Sequence, residues 1–480
     1  MPTPSASPAS PSGFSKPLIM PSSPIEKAAA WPLWRLGIAI QVLLAVLTVL
    51  LTRMEKQPAC AAALLPIWLL AFVPYVLALG RARQLTPAVA LRGIFIFAMF
   101  FRATLWFAPP VLSNEANRSL WEGRAQMFGH NPYLEAPSSP RVSLLAPEML
   151  RHVAAPDMPA VSPPLSELLF LIAANISPRD PDLLKALLAF VDLGVVWLLA
   201  RLLRLRGLNE NMAILYAWCP LPVVEFAGNG HFLTLAMFLS LSAVYLATPQ
   251  LPRRRWAGVI EQTLAAASLA GAVCAHYASL PLVPLVMRQI KARYWLLVPV
   301  IAGLFCLPFA GAGAHLFDGL RQCAGGLRFN DSVFGALTVV FGTSWIPQLP
   351  GGVPLEHAVP KLIAAGLWLA ALVAMIMLRV NTIRSFYILT GVFLFLSPVV
   401  YPHYVAFVVP FLCFYPNAGW MLLSATVVLS YWTGLTAAAA NHGAVPLFIR
   451  MIEYLPAFAA MVAGWAIAYL SPRADVRRKS

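Results

Sequence analysis

The sequence predicts an all-α polytopic membrane protein of about 12–14 transmembrane helices, each needing roughly 20 apolar residues. Three observations carry this. Hydrophobic residues make up 60% of the 480 residues and charged residues only 11%, whereas roughly a quarter of a soluble domain is charged. Apolar runs recur from Trp31 to Leu470, each long enough to cross hydrocarbon. Arginines and lysines gather in short segments between those runs. Lipid offers no partner to an exposed backbone polar group, so spans must be helices or a closed barrel. These runs are too long and too continuous for barrel strands.

Residues 1–30 are rich in Pro and Ser and read as a disordered tail. The first apolar run, from Trp31, lies too deep and is too long for a simple cleaved signal peptide, so it reads as an uncleaved anchor. The expected spans are 31–52, 60–80, 93–111, 183–203, 211–227, 231–248, 257–274, 277–288, 294–311, 359–379, 384–400, 402–416, 419–437 and 446–470. The stretch 257–288 is expected to be broken or not to cross fully. Residues 31–471 then form one transmembrane domain and 472–480 a basic cytoplasmic tail.

Orientation follows from the basic clusters, since cytoplasmic loops carry excess Lys and Arg. Arg81/Arg83/Arg92, Arg201/Arg204/Arg206, Arg253/Arg254/Arg255, Arg288/Lys291/Arg293, Arg379/Arg384 and Arg473/Arg477/Arg478/Lys479 mark the cytoplasmic side. The same rule accounts for the net charge of +15, so nucleic acid is not the expected partner. All eight histidines then fall on the extracytoplasmic side, with most acidic residues. The six cysteines are scattered with no CxxC pair, which indicates neither a zinc site nor a disulfide framework. Two extracytoplasmic loops, 112–182 and 312–358, exceed ordinary loop length, and long loops are commonly functional.

The first of these loops holds the chemistry. Residues 113–137 read SNEANRSLWEGRAQMFGHNPYLEAP. Glu115 to Phe128 predicts an interfacial amphipathic helix, with Glu115, Arg118, Glu122 and Arg124 on its polar side and Leu120, Trp121 and Met127 toward the bilayer. Gly129 can end the helix, and Asn131-Pro132 forces an extended turn. By periodicity alone, a charged helix resting on the membrane surface explains the segment equally.

The segment resembles the first extracytoplasmic loop of the GT-C superfamily of integral-membrane glycosyltransferases, and within it the polyprenyl-phosphate-mannose-dependent mannosyltransferases. The matching residues are Ser113, Arg118, Trp121, Gly123, Arg124, Gly129, Asn131, Pro132, Tyr133, Ala136 and Pro137. Asn114 and Glu115 stand where that family has two aspartates, and Glu122 where it has one. Ser162-Pro163-Pro164-Leu165, Pro220-Leu221 with Glu225 and Gly228-Asn229-Gly230-His231, Phe329-Asn330 and Pro402-His403-Tyr404 resemble later elements in the same order. The aspartate usual shortly after the histidine is absent, with Phe232, Leu233 and Thr234 in its place.

The resemblance implies a GT-C-like fold, and transfer of a sugar, mannose being the best known, from a polyprenyl-phosphate donor to a hydroxyl of a glycolipid or glycan acceptor. It implies an active site on the extracytoplasmic side of a bacterial inner membrane, with no metal and no cofactor. Glu115 occupies the place of the family base. Its carboxylate suffices for the proton, because phosphate is already a good leaving group. Asn114 would hydrogen-bond a sugar hydroxyl. Arg118, Arg124, Arg328 and His276 are the cations expected at the donor phosphate, and His276 stands where relatives often carry lysine. A neutral, hydrogen-bonding histidine at a helix turn explains position 276 equally. Trp121, Glu122, Asn131, Tyr133, Asn229, Asn330 and His403 are expected at the substrate through their motifs. Glu225 and His231 bracket a tight turn and either line the sugar pocket or pair locally. Asp192, deep in a predicted span, is expected to pair within the bundle. A lipid-linked-glycan transporter or flippase, and a catalytically degenerate relative, are the competing readings. An inverted repeat with broken helices would favour transport, and the two halves show no convincing self-similarity.

Overall fold

The computed structural model describes residues 24–54, 57, 60–145, 147–248, 255–342, 358–431 and 445–470. Residues 1–23 of the expected tail, the basic end 472–480, positions 343–357 of the second long loop, Arg253, Arg254, His357 and His442 lie outside them. Among the described residues every regular element is a helix. One isolated parallel bridge pairs Phe329 with Val399.

Eight helices are long and apolar enough to cross a membrane: Ala30–Met54, Ala61–Ala82, Pro87–Trp106, Asp182–Leu205, Gly258–Ala275, Ala292–Gly325, Ala358–Met377 and Leu447–Ile467. Pro220–Gly228 and Leu233–Ala247 pass the same test as a pair and meet at 116°. Four shorter apolar helices, Pro164–Ile176, Thr382–Leu396, Pro402–Leu412 and Ala418–Tyr431, complete the bundle. The chain is therefore a multi-pass membrane protein, and the expected 12–14 spans are reached only by counting the short helices with the long ones. Val73, Leu77, Phe190, Leu369 and Ile467 stay more than half exposed, as side chains facing lipid do. The first helix begins at Pro24, inside the segment read as tail.

Buried ionic groups in the interior of the spans pair with other protein groups, as Arg102 and Lys185 illustrate. Arg102, on helix α1 of the site's framework (Pro87–Trp106), meets Asp192 on α2 (Asp182–Leu205) with Nε to Oδ2 at 2.6 Å, and both side chains are buried. The Tyr216 hydroxyl also donates to Asp192, the Thr234 hydroxyl lies 3.3 Å away, and Arg102 donates to the Ala98 and Ala217 carbonyls. Lys185 turns its ammonium onto the Trp106 and Ala108 carbonyls, closing the end of one helix with the side chain of another. Without water, backbone and charge must be paid for internally. The expectation that Asp192 pairs within the bundle holds.

The loop helix α3 (Glu115–Met127) forms as the sequence predicts, but most of it is buried instead of resting on the bilayer surface. Leu120 and Trp121 are buried, not turned to lipid, and Arg118 and Glu122 are buried with them. Met127 and Phe128 remain exposed. The cause is α4 (Pro164–Ile176), which packs directly on the helix. Gly123 permits the contact: a Cβ there would stand 2.2 Å from the Phe170 carbonyl oxygen. Trp121 instead joins Ala125, Val142 and Val153 in a small core beneath the loop. A helix that looks interfacial by periodicity is thus clasped by a second helix of its own loop.

The 116° bend falls between Gly228 and Leu233. Residues Val223–Gly228 wind as a π-helix, a rare form that is frequent at functional sites. The Asn229 and His231 amides donate back to the Val224 and Glu225 carbonyls. Gly230 has φ of +72°, and a Cβ there would meet Lys185 Cγ at 2.9 Å and Ala116 Cβ at 3.1 Å. The turn is therefore pressed against the start of α3.

Breaking the buried Arg102–Asp192 pair from one side should cost about 3–5 kcal/mol, because it strands a charge in an apolar interior. Arg102→Met is expected to lower the melting temperature in detergent markedly. The double change Arg102→Met/Asp192→Leu is expected to recover most of the loss. Equal melting of the single and double variants would refute the pairing as the cause.

Candidate active site

A cavity of about 1520 Å³ opens where α3, the His276 turn, Arg328–Phe329 and the last helices converge. Its wall mixes charged groups (Glu115, Arg328, Lys361) with large apolar ones such as Trp368, Leu389, Phe393 and Ile449. Seven of the expected site residues line it: Asn114, Glu115, Arg118, Glu122, His276, Arg328 and His403.

Glu115 is the first residue of α3, so the turn at Gly230 brings His231 against it. Glu115 Oε2 lies 2.6 Å from His231 Nδ1, and His231 Nε2 lies 3.3 Å from Glu225 Oε2. Glu225 is buried beneath, bonded by the Tyr431 hydroxyl at 2.9 and 3.0 Å and by the Asn229 amide at 3.3 Å. His403 stacks on His231 with ring centroids 3.8 Å apart. A carboxylate, an imidazole and a second carboxylate therefore follow one another from the cavity wall into the protein. Glu115 keeps 31% of its side chain open and His231 only 2%. Loss of solvent around it pushes the Glu115 carboxyl up, but the charge and hydrogen-bonding of His231 outweigh this and hold it at about 2. The group is ionised at any physiological pH. Glu115, His231 and His403 also offer one ligand-type atom each within 4.8 Å of one another.

The cations divide in a way the sequence does not reveal. Arg118 spends all five donors: Nε on Glu122, Nη1 on the Ala154 and Ala155 carbonyls, and Nη2 on those of Met158 and Pro159. It anchors the loop and has no donor left for a phosphate, which corrects its expected role. Arg124 likewise binds the Leu145 and Pro178 carbonyls, away from the cavity. Burial pushes His276 down to about 4 against the attraction of Glu115, and its Nδ1 accepts from the Ala278 amide. It is the neutral turn histidine, not a cation. Arg328 engages Asp331 through Nε and Nη2 but remains 29% exposed at the cavity. Lys361 sits in an apolar helix and donates to the Ala324 and Gly325 carbonyls at 2.7 and 2.8 Å. That uses two of its three N–H groups.

The other expected residues support the site from outside the cavity. Asn131 turns its side chain onto the Tyr133 amide, and the Tyr133 hydroxyl donates to the Ser162 carbonyl at 2.6 Å. Asn330, at φ of +52°, donates to Glu453 at 2.7 Å. Trp121 is a core residue, Asn229 holds Glu225, and Glu225 and His231 stand behind Glu115. Sequence reasoning missed Lys361, Tyr431 and Glu167. Glu167 is fully buried and accepts from Gln126 at 2.8 Å. The signal for Lys361 and Glu167 was present: an ionisable residue inside an apolar helix marks a pathway or a site by default.

Glu115→Gln tests the ion pair through pH. A carboxyl held below its ordinary value of 4.5 contributes stability that is complete above that value and is lost as pH falls toward about 2. With EDTA present, the variant should melt several degrees below wild type at pH 7. The gap should narrow as pH falls from about 4.5 toward 2. A gap independent of pH would show that Glu115 contributes shape and not charge.

No family model, no curated protein and no solved structure matches this chain.

Proposed function

We propose that this cavity transfers a sugar from a polyprenyl-phosphate donor to a hydroxyl of a glycolipid or glycan acceptor, with Glu115 as general base. The observation that carries the reading is an ionised carboxylate, Glu115, in the wall of a large cavity that is apolar over much of its surface. A lipid-linked donor needs both qualities in one place, an apolar wall for its tail and charged groups for its head.

In the proposed reaction the donor phosphate lies at Arg328 and Lys361, the two cations in the wall with donors to spare. The acceptor oxygen attacks the anomeric carbon from the side opposite the phosphate, as the carbon–phosphate-oxygen bond breaks. The phosphate leaves with the bonding pair, and the configuration inverts. The hydroxyl proton passes to Glu115. A carboxylate held near 2 is a weak base in the ground state. The hydroxyl becomes strongly acidic only as its oxygen bonds to carbon, so a weak base takes the proton late in the step. His231 keeps the carboxylate oriented and charged until then. The GT-C-like identity, the extracytoplasmic placement of the cavity, the bacterial inner membrane and a mannose-like sugar rest on the resemblance and belong to this proposal.

Purified protein in liposomes, given a panel of polyprenyl-phosphate sugars with glycolipid acceptors, tests it. Wild type should release polyprenyl phosphate with one donor. Glu115→Gln should lower kcat by about 100-fold or more, the range of a lost general base. Lys361→Met should chiefly raise KM for the donor. Undiminished transfer by Glu115→Gln would remove the base, and donor movement across the bilayer without sugar release would replace transfer by transport.

A further inference from the structure

The three side chains at the cavity wall form more than an ion pair. Glu115, His231 and His403 come from α3, from the bend at 116° and from the start of the helix after Tyr401. Their ligand-type atoms lie within 4.8 Å of one another, though the residues are far apart in sequence. His403 is 7% exposed, and its Nδ1 has no hydrogen-bond partner. His231 is 1% exposed, and its two ring nitrogens face the carboxylate oxygens of Glu115 and Glu225 at 2.6 and 3.3 Å. A buried ring nitrogen without a partner, as on His403, is rare and asks for a reason.

The stacking adds a constraint. Two imidazolium rings with centroids 3.8 Å apart would repel across a buried contact. At least one ring is therefore neutral and carries a free in-plane lone pair. A neutral imidazole beside a carboxylate and a second imidazole is a metal-binding set.

We propose that Glu115 (through one carboxylate oxygen), His231 and His403 bind a divalent transition-metal ion of the Zn²⁺ class, with one coordination position open to the cavity and the second Glu115 oxygen left to take the acceptor proton. Two histidines and one glutamate with an open position is a ligand set of catalytic zinc sites, whose ligands stand at about 2.0–2.2 Å. A tetrahedral ion spaces such ligands by about 3.3 Å. Binding therefore widens the Glu115–His231 contact from 2.6 Å and draws in the longest separation from no more than 4.8 Å, by side-chain rotation. Glu225 completes the arrangement. A metal-bound histidine characteristically hands its second ring N–H to a carboxylate, which fixes its tautomer. Glu225 stands 3.3 Å from that nitrogen of His231 and is itself held by Tyr431 and Asn229. The open position would take an oxygen ligand such as a phosphate or hydroxyl oxygen. The expectation of no metal came from the resemblance, and the geometry of these residues points the other way.

Tag-free protein stripped with EDTA and titrated with Co²⁺ in detergent provides the test, with visible absorption as the readout and Zn²⁺ as competitor. Wild type should bind one equivalent with a tetrahedral spectrum that Zn²⁺ abolishes. His403→Asn and Glu115→Gln should weaken binding at least 100-fold. Glu225→Gln, which keeps all three ligands, should weaken it about 10–100-fold. Absence of stoichiometric binding to wild type overturns the site. So does unchanged affinity in a folded His403→Asn protein, or, should that variant not fold, unchanged affinity in Glu225→Gln. No donor or acceptor is present in the titration, so its failure leaves the glycosyl-transfer reading standing, and failure of transfer leaves the metal site standing.

Discussion

The contact between Glu115 and His231 joins the extramembrane loop to the membrane bundle, and the site depends on it. One partner opens helix α3, and the other sits at a break in an apolar helix pair. They meet at 2.6 Å only because the chain turns sharply between Gly228 and Leu233 and because residue 230 has no side chain to hold the two elements apart. The same contact keeps the carboxylate charged at the edge of a largely apolar cavity, where burial alone would neutralise it. Remove the bend, and Glu115 becomes an ordinary surface carboxylate on a loop.

Such a contact needs a rigid frame on both sides. On the membrane side the frame is supplied by buried polar groups that have no water to fall back on. Arg102, Asp192, Tyr216 and Thr234 tie four helical segments together, and Lys185 closes the carbonyls where Pro87–Trp106 ends. On the loop side Arg118 does equivalent work by gathering four carbonyls and Glu122 around one guanidinium. Each group is costly when unpaired in low dielectric, so each specifies one arrangement of the chain around it.

This division of labour explains why charge alone is a poor guide to the site. Arg118 and Arg124 look like phosphate ligands because they flank Glu115 in sequence, yet backbone carbonyls hold them. Among the described residues of the cavity wall, the cations with donors to spare are Arg328, beside an isolated β-bridge, and Lys361, in a helix about 250 residues from Glu115. A guanidinium's availability depends on how many carbonyls surround it, and that is set by loop packing.

The helical membrane class was legible in the sequence, because hydrocarbon imposes length and apolarity on every span regardless of what the span packs against. The loop helix from Glu115, its end at Gly129, the tight turn before His231 and the pairing of Asp192 were legible for similar local reasons: a period, a φ > 0 glycine, a charge that lipid will not accept alone. Tertiary structure decided the rest. Which face of α3 is buried depended on α4, which the periodicity of α3 cannot contain. The neutrality of His276, the saturation of Arg118, the role of Lys361 and the convergence of His403 on His231 all arise between residues distant in sequence. Local pattern records what one segment requires of its solvent; it holds no record of which other segment arrives to replace that solvent.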